Sequence, residues 1–229
     1  MSGDGPAAVL CPARRFTWPG DVAAARRLQE RLRARVVTED RLEGSGRVAG
    51  VDVHYDRRRR LTFAAAVRLA ADGTLAASAL AARPTRFPYV PGYLAFREAP
   101  AALEALTVLG EVELLFVDGH GLAHPRRFGI ACHLGVLLDR PTVGVAKTRL
   151  VGRYAEPAAE AGSWTPLEHR GEVVGAVVRT RTGVRPVFVS VGHRLSLATA
   201  VRLTLAFARG FRLPEPTRLA DRLSRAHGG

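Results

Sequence analysis

The sequence has a single lysine, Lys147, a single glutamine, Gln29, no asparagine and only two cysteines, Cys11 and Cys132. One cysteine near the amino end and one in an apolar helical stretch exclude a disulfide framework and a thiolate-rich zinc centre, so a bound metal must take oxygen or histidine ligands. No apolar run approaches the roughly 18 residues that span a bilayer, which excludes a membrane helix. The amino end lacks a basic leader followed by a long apolar stretch, so neither secretion nor lipidation is indicated, and the cytoplasm is the expected compartment. Acid is scarce as well. The 21 Asp and Glu face 34 Lys and Arg, a formal net charge of +13 that fits a polyanionic partner, above all nucleic acid. Nearly all that basic charge is arginine, and with asparagine absent this is the bias left when A-rich codons are avoided. The same bias marks Lys147 as a position that needs an ammonium.

What is present suits a globular chain: 229 residues, 47% of them apolar, supply ample core. No repeat, long linker or break in composition appears, so one domain over residues 1–229 is expected, with 1–20 and 222–229 loosely ordered. Apolar residues at helical spacing predict a helix over 21–37. Short β-prone runs at 47–55, 61–69 and 74–80 read as an antiparallel meander. Its first turn carries Arg57, Arg58, Arg59 and Arg60, a solvated basic tip on the plain reading and a phosphate contact on the sharper one. Pro88, Pro91 and Gly92 break the next segment into a shaped loop, followed by a helix over 98–109. A buried strand ending at Asp118, a helix over 127–138 and a strand over 142–146 imply parallel pairing. Runs at 173–179 and 187–190 precede a helix over 195–209 and a short basic carboxyl-terminal helix. The fold class is therefore α/β, a mixed sheet in which an antiparallel meander is continued by parallel strands, flanked by helices.

Chemistry is marked by acids inside apolar strands. Asp52 in Val-Ala-Gly-Val-Asp-Val and Asp118 at the end of Leu-Leu-Phe-Val-Asp-Gly would each cost several kcal/mol unless paired or metal-bound. Ligands collect at the carboxyl ends of parallel strands, where two neighbouring carboxylates can share a hard cation such as Mg²⁺, and Glu98 at the mouth of the next helix can add a third oxygen. Such a set beside a basic surface suggests phosphodiester hydrolysis with metal-activated water. Pairing of one acid with an arginine is the structural alternative.

Four segments carry a family resemblance: Gly50-Val-Asp-Val-His-Tyr55, the stretch from Pro88 to Pro100, Val117-Asp-Gly-His-Gly-Leu-Ala-His-Pro-Arg-Arg127, and Gly144-Val-Ala-Lys-Thr-Arg-Leu150. Together with Leu213-Pro-Glu-Pro-Thr-Arg-Leu-Ala-Asp221 they resemble endonuclease V, the deoxyinosine 3′ endonuclease family. The resemblance implies a ribonuclease-H-like fold and a Mg²⁺-dependent DNA-repair endonuclease, with Mn²⁺ as a substitute metal, that cuts the second phosphodiester bond 3′ to deoxyinosine. The implied partner is inosine-containing DNA; separately, a monomer is expected. Alternatives are an inosine-specific endoribonuclease acting on inosine-containing RNA, or a nucleic-acid-binding module without chemistry.

Carried over by position, the resemblance makes Asp52, Asp118 and Glu98 the metal-binding acids, and Lys147 the lysine that neutralises the attacked phosphate. Tyr89 becomes the wedge that fills the gap left by a flipped base. Pro91, Gly92, Ile130 and Leu150 would line the base pocket. Independently of the resemblance, the Arg126-Arg127 pair opens a helix beside the presumed metal site and is expected to contact phosphate, an exposed arginine pair being the plain alternative. His124 and His193 are expected as active-site histidines, with His193 near a fourth ligand position because Ala198 stands where the family pattern often has an acid. His133, in an apolar helix, is expected in the core, and Tyr93 and Phe96 beneath the Pro-rich loop.

Overall fold

The computed structural model describes residues 16–42 and 46–228, so Cys11 lies outside the described residues. Eight strands form one sheet in the order β3-β2-β1-β4-β5-β8-β7-β6. β1 (Val48–Asp56), β2 (Leu61–Leu69) and β3 (Leu75–Pro84) are the antiparallel meander, and β4 (Leu114–Asp118) and β5 (Thr142–Ala146) continue parallel to β1. β8 (Val187–His193), β7 (Glu172–Val178) and β6 (Trp164–His169) extend the sheet antiparallel. The expected mixed sheet is therefore present. β6 escapes a sequence reading because it is an edge strand that buries only Leu167, so no apolar run marks it.

Alternation along the strands sorts the core into two layers. Ala49, Val51, Leu115 and Val117 face α2 (Leu94–Leu109) and α3 (Ile130–Leu138). Val48, Leu114, Phe116, Val143 and Val145 face the opposite side, where α4 (Leu197–Ala208) and α5 (Glu215–Gly228) lie. α1 (Val22–Arg33) packs beside α3, and its Leu28 and Leu32 join Phe87, Tyr93, Phe96 and Phe128 under the loop that precedes α2.

Several boundaries differ from expectation for physical reasons. α1 ends at Arg33, after which the N–H groups of Arg35 and Val36 donate three residues back to the Leu32 and Arg33 carbonyls and that of Val37 donates to the His193 ring. α2 begins at Leu94, directly after the turn at Gly92, which puts Glu98 in the second turn instead of at the helix mouth. α3 begins at Ile130, leaving Arg126 and Arg127 in the preceding loop. The carboxyl end is not loose, since residues 222–228 belong to α5, whose Thr217, Ala220 and Ser224 are fully buried. Phe16 and Trp18 are also packed, their rings 4.9 Å apart and set against the core.

One glycine fixes where α5 sits. A Cβ at Gly50 would lie 2.1 Å from the carbonyl oxygen of Pro216, so only a residue without a side chain lets the start of α5 rest on β1. Gly50→Ala should therefore destabilise the protein as an overpacked contact does, by about 1–3 kcal/mol. That corresponds to a fall of about 2–12 °C in Tm for a chain of this size. Calorimetry checks it, and a variant that melts like wild type means that α5 can stand off the sheet at no cost.

Candidate active site

Sheet geometry brings two acids together. Asp52 and Asp118 share the strand parity of Gly50 and Phe116, and both lie one residue beyond the last paired row, Val51 beside Val117. Their carboxylates thus emerge on the α5 face at the carboxyl ends of neighbouring parallel strands. α5 supplies a third acid. Among the described residues Asp52, Asp118 and Asp221 bring one carboxylate oxygen each within 4.8 Å of one another. Lys147, one residue past the end of β5 and on the same face, donates from Nζ to Asp118 Oδ2 and to Asp221 Oδ1, both at 2.6 Å. Ser224, one turn beyond Asp221 on α5, donates from its hydroxyl to Asp52 Oδ2.

The electrostatics follow from this crowding. Burial pushes the Asp52 carboxyl up to about 6, opposed by the Ser224 hydrogen bond and reinforced by the charge of Asp118. Burial pushes Glu98 further, up to about 8, with Asp52 and Asp118 adding to it. Burial works against the charges of Lys147 and Asp221 too, yet their mutual hydrogen bond and those to Asp118 and Arg225 outweigh it, raising Lys147 and lowering Asp221. Glu98 is not within the three-acid group; it faces a cavity of about 270 Å³ that it lines together with Asp118, Tyr89, Ile130 and Leu150.

That cavity lies under the Pro-rich loop, and Gly92 is its keystone. Its φ of +79° suits glycine, and its carbonyl accepts from Gln29 Nε2 at 3.1 Å, from His124 Nε2 at 3.0 Å and from the Arg126 guanidinium. The only glutamine is thus a brace: buried Gln29 also donates to the carbonyl of Phe128 at 3.3 Å and accepts from Arg126 Nε at 2.6 Å. His124 accepts the Arg126 N–H on Nδ1, which fixes its proton on Nε2, and burial lowers its pKa to about 3, keeping the ring neutral. Tyr89 stands out from this frame with 69% of its surface exposed, whereas Tyr93 and Phe96 are buried beneath the loop.

Some expected site residues are placed elsewhere. His193 ends β8, which runs antiparallel to β5, and pairs with Thr142 at the start of β5, the end of the sheet away from Asp118. Its Nδ1 accepts from Val37 N–H and its Nε2 contacts Asp139 at 3.2 Å, so it ties the segment after α1 to the end of α3. Among the described residues the acid that joins Asp52 and Asp118 is Asp221 of α5, and His193 is not near them. Arg126 is stacked 4.0 Å over the Tyr93 ring and spent on Gln29 and Gly92. Arg127 is buried, holding Glu172 and the carbonyls of His124 and His169. Pro91 and Gly92 line the cavity with Ile130 and Leu150. His133 is fully buried among Phe16, Trp18, Phe96 and Phe128, as a core residue. Sequence reasoning missed the roles of Asp221 and Ser224. The available signal was a helical stripe of small buried residues at 217, 220 and 224 with an acid inside it, hidden by the arginines at 218, 222 and 225.

Two acids and a lysine at the carboxyl ends of parallel strands, joined by a third acid from α5, stand on a mixed sheet of the ribonuclease-H-like class. Comparison with known proteins gives the family: the model of the endonuclease V family matches residues 30–222. Endonuclease V of Roseiflexus castenholzii is 54% identical over 215 residues, covering 93% of this chain and 96% of that protein. The crystal structure of endonuclease V from Streptomyces avermitilis superposes with a TM-score of 0.86 at 49% identity, covering 91% of this chain and 93% of the other. Ciona intestinalis endonuclease V, in complex with a 24mer DNA containing an inosine followed by a ribo-adenosine, is similar at 29% identity and a TM-score of 0.77, covering 89% and 96%. The chain belongs to the endonuclease V family.

The raised acids generate a test. Glu98 titrates near 8 in the folded chain and near its ordinary value of about 4.3 in the unfolded one, so between these the folded state holds more protons and stability falls as pH rises. The lowered histidines act oppositely, but only up to about pH 6.5. Metal-free protein in chelator should therefore lose Tm between about pH 7 and 8.5, and Glu98→Gln should flatten that slope. An unchanged slope in Glu98→Gln means that Glu98 is not held protonated.

Proposed function

We propose that the protein is a repair endonuclease that recognises deoxyinosine in DNA and hydrolyses the second phosphodiester bond on its 3′ side, working with Mg²⁺, or with Mn²⁺ in its place, as a cytoplasmic monomer. The observation that carries this is the meeting of Asp52, Asp118, Asp221 and Lys147 beside a cavity roofed by the Pro-rich loop. Support for inosine as the lesion comes from the Ciona relative, whose bound DNA contains it.

The donor set fits a hard divalent cation: among the described residues three carboxylate oxygens converge with no thiolate or imidazole in the group, and their repulsion is only partly offset by Lys147 and exposed Arg225. Held by Asp52, Asp118 and Asp221, such a cation supplies Lewis acidity and a water of lowered pKa. Ser224 orients Asp52 by its hydrogen bond, and Asp221 shares Lys147 with Asp118. Glu98, protonated in the free site, becomes available as an anion once positive charge arrives beside it. Lys147 presents an ammonium to the phosphate undergoing attack. The cavity takes the flipped base, with Ile130 and Leu150 as apolar walls and the backbone at Gly92 and Gly119 near its edge, while exposed Tyr89 fills the vacated stack. His124 holds the roof and acts through the loop.

Inosine-containing RNA is the second reading, because the DNA bound by the Ciona relative carries a ribo-adenosine after the inosine, a ribose at the 3′ neighbour. Comparing cleavage of inosine-containing DNA and RNA of one sequence, with Mg²⁺ and with EDTA, tests both: full activity in EDTA overturns the metal reading, and faster RNA cleavage selects the second substrate.

Asp52→Ala, Asp118→Ala and Asp221→Ala should each abolish cleavage while inosine-dependent binding persists, as gel-shift and cleavage assays will read. Lys147→Arg should lower turnover at least tenfold, since a planar guanidinium does not reproduce a compact ammonium between two carboxylates; wild-type turnover would sink that role. Tyr89→Ala should lose about 1–3 kcal/mol of affinity for inosine-containing duplex, the range for base stacking. Its Tm should barely move, because the ring is exposed in the free protein; an unchanged inosine-to-adenine affinity ratio removes the wedge assignment.

A further inference from the structure

We infer that the β1–β2 turn is a second, distal phosphate-binding element that grips the nucleic-acid strand away from the reacting bond. This rests on the nucleic-acid part of the reading above and is independent of its inosine part. Arg57, Arg58, Arg59 and Arg60 form the turn, and all four are exposed. Arg59 is paired with Asp56 at 3.5 Å. Arg57, Arg58 and Arg60 have no ion-pair partner among the described residues, and neither does exposed Arg86 on the segment alongside.

The turn is built as a fixed platform. Asp56 Oδ1 accepts from the backbone N–H of Arg58 at 2.7 Å and of Arg59 at 3.0 Å, and those bonds hold its carboxyl below the ordinary range. The Arg60 carbonyl accepts from Thr85 N–H at 2.9 Å, and the Thr62 and Thr85 hydroxyls meet at 2.7 Å, which ties the turn to the strand that leads into the Pro-rich loop. Arg60 stands at φ +55°, a conformation arginine adopts only when its surroundings hold it there.

Position gives the turn its partner. β1 carries Asp52 and runs from it toward the turn, so the arginines lie on the active-site end of the sheet. Four residue steps of strand lead from Asp52 to Asp56, about 13 Å at ~3.3 Å per step. That spans about four steps of a duplex strand at ~3.4 Å each, enough to reach a phosphate outside the reacting nucleotides. Between the two stands an aromatic and cationic step, Arg97 with its guanidinium 3.6 Å over the Tyr55 ring and 5.9 Å from that of Tyr89. Unpaired guanidinium groups on a rigid turn, in line with the acids, match a row of phosphates; a protein partner would need apolar surface, which the turn lacks.

The test is the salt dependence of binding to an undamaged 30-base-pair duplex, which needs no lesion. Arg57→Ser, Arg58→Ser and Arg60→Asn together should reduce the slope of log Kd against log salt by about 2–3, since each duplex phosphate contact contributes ~0.9. Asparagine at position 60 keeps the left-handed backbone. A triple lysine variant at the same positions should restore the wild-type slope. An unchanged slope in the Ser/Ser/Asn variant overturns the inference, and so does a reduced slope in the lysine variant, which would trace the effect to turn geometry instead of charge. The inosine-to-adenine preference is measured in the same set: its absence in wild type defeats the lesion reading and leaves the slope to decide the turn.

Discussion

Negative charges of like sign, brought close together at the end of β1 and β4, are the constraint that the rest of the molecule answers. Three carboxylates within 4.8 Å, with Glu98 beside them, cannot all ionise in a partly buried place without compensation. The structure divides the load. Lys147 takes Asp118 and Asp221, Ser224 takes Asp52, and Glu98 stays protonated up to about pH 8. What remains is a site with unspent attraction for a cation, offset by Lys147 between two of the acids and by exposed Arg225 on Asp221.

That arrangement depends on α5 reaching the sheet. Gly50 lets Pro216 press onto β1, and the helix then carries Asp221 and Ser224 over Asp52 at successive turns. The other wall depends on a different economy of contacts. Gly92 gathers Gln29, His124 and Arg126 on one carbonyl, so the Pro-rich loop is fixed from beneath while Tyr89 stays free above it. Rigid beneath and exposed on top is what a side chain needs if it is to enter a base stack without first giving up the packing of its own fold.

How much of this was legible in the sequence follows from range. Strand periodicity and the Asp-Gly and Val-Asp breaks were enough for the meander, the parallel pair and the two strand acids, because those signals are local. Asp221 was not legible as a site residue, since on a helix rich in arginine an acid reads as a surface ion pair, and indeed it also holds Arg225 at 3.1 Å. His193 misled in the opposite way. The resemblance marked it as an active-site histidine, but the direction of β8, which sequence does not state, carries it to the far end of the sheet, where it ties Val37 to Asp139. Arg126 and Arg127 failed for a similar reason: adjacency to a helix start suggests phosphate, and only long-range partners such as Gln29 and Glu172 reveal that the guanidinium groups are used internally.

Lys147 shows composition and geometry agreeing. In a chain that uses arginine nearly everywhere else, the one ammonium lies between two carboxylates, each 2.6 Å from the same nitrogen. A guanidinium spreads its charge over a plane and prefers to meet one carboxylate with two parallel bonds, whereas an ammonium can donate to two separate oxygens from a single point and still direct a third proton outward. The bias that removed lysine elsewhere met a geometric requirement here. The arginine turn at 57–60 is the converse case: on an open surface facing a flexible polyanion, the planar fork is as good as an ammonium or better, so drift toward arginine there carries no penalty and can accumulate into a binding feature.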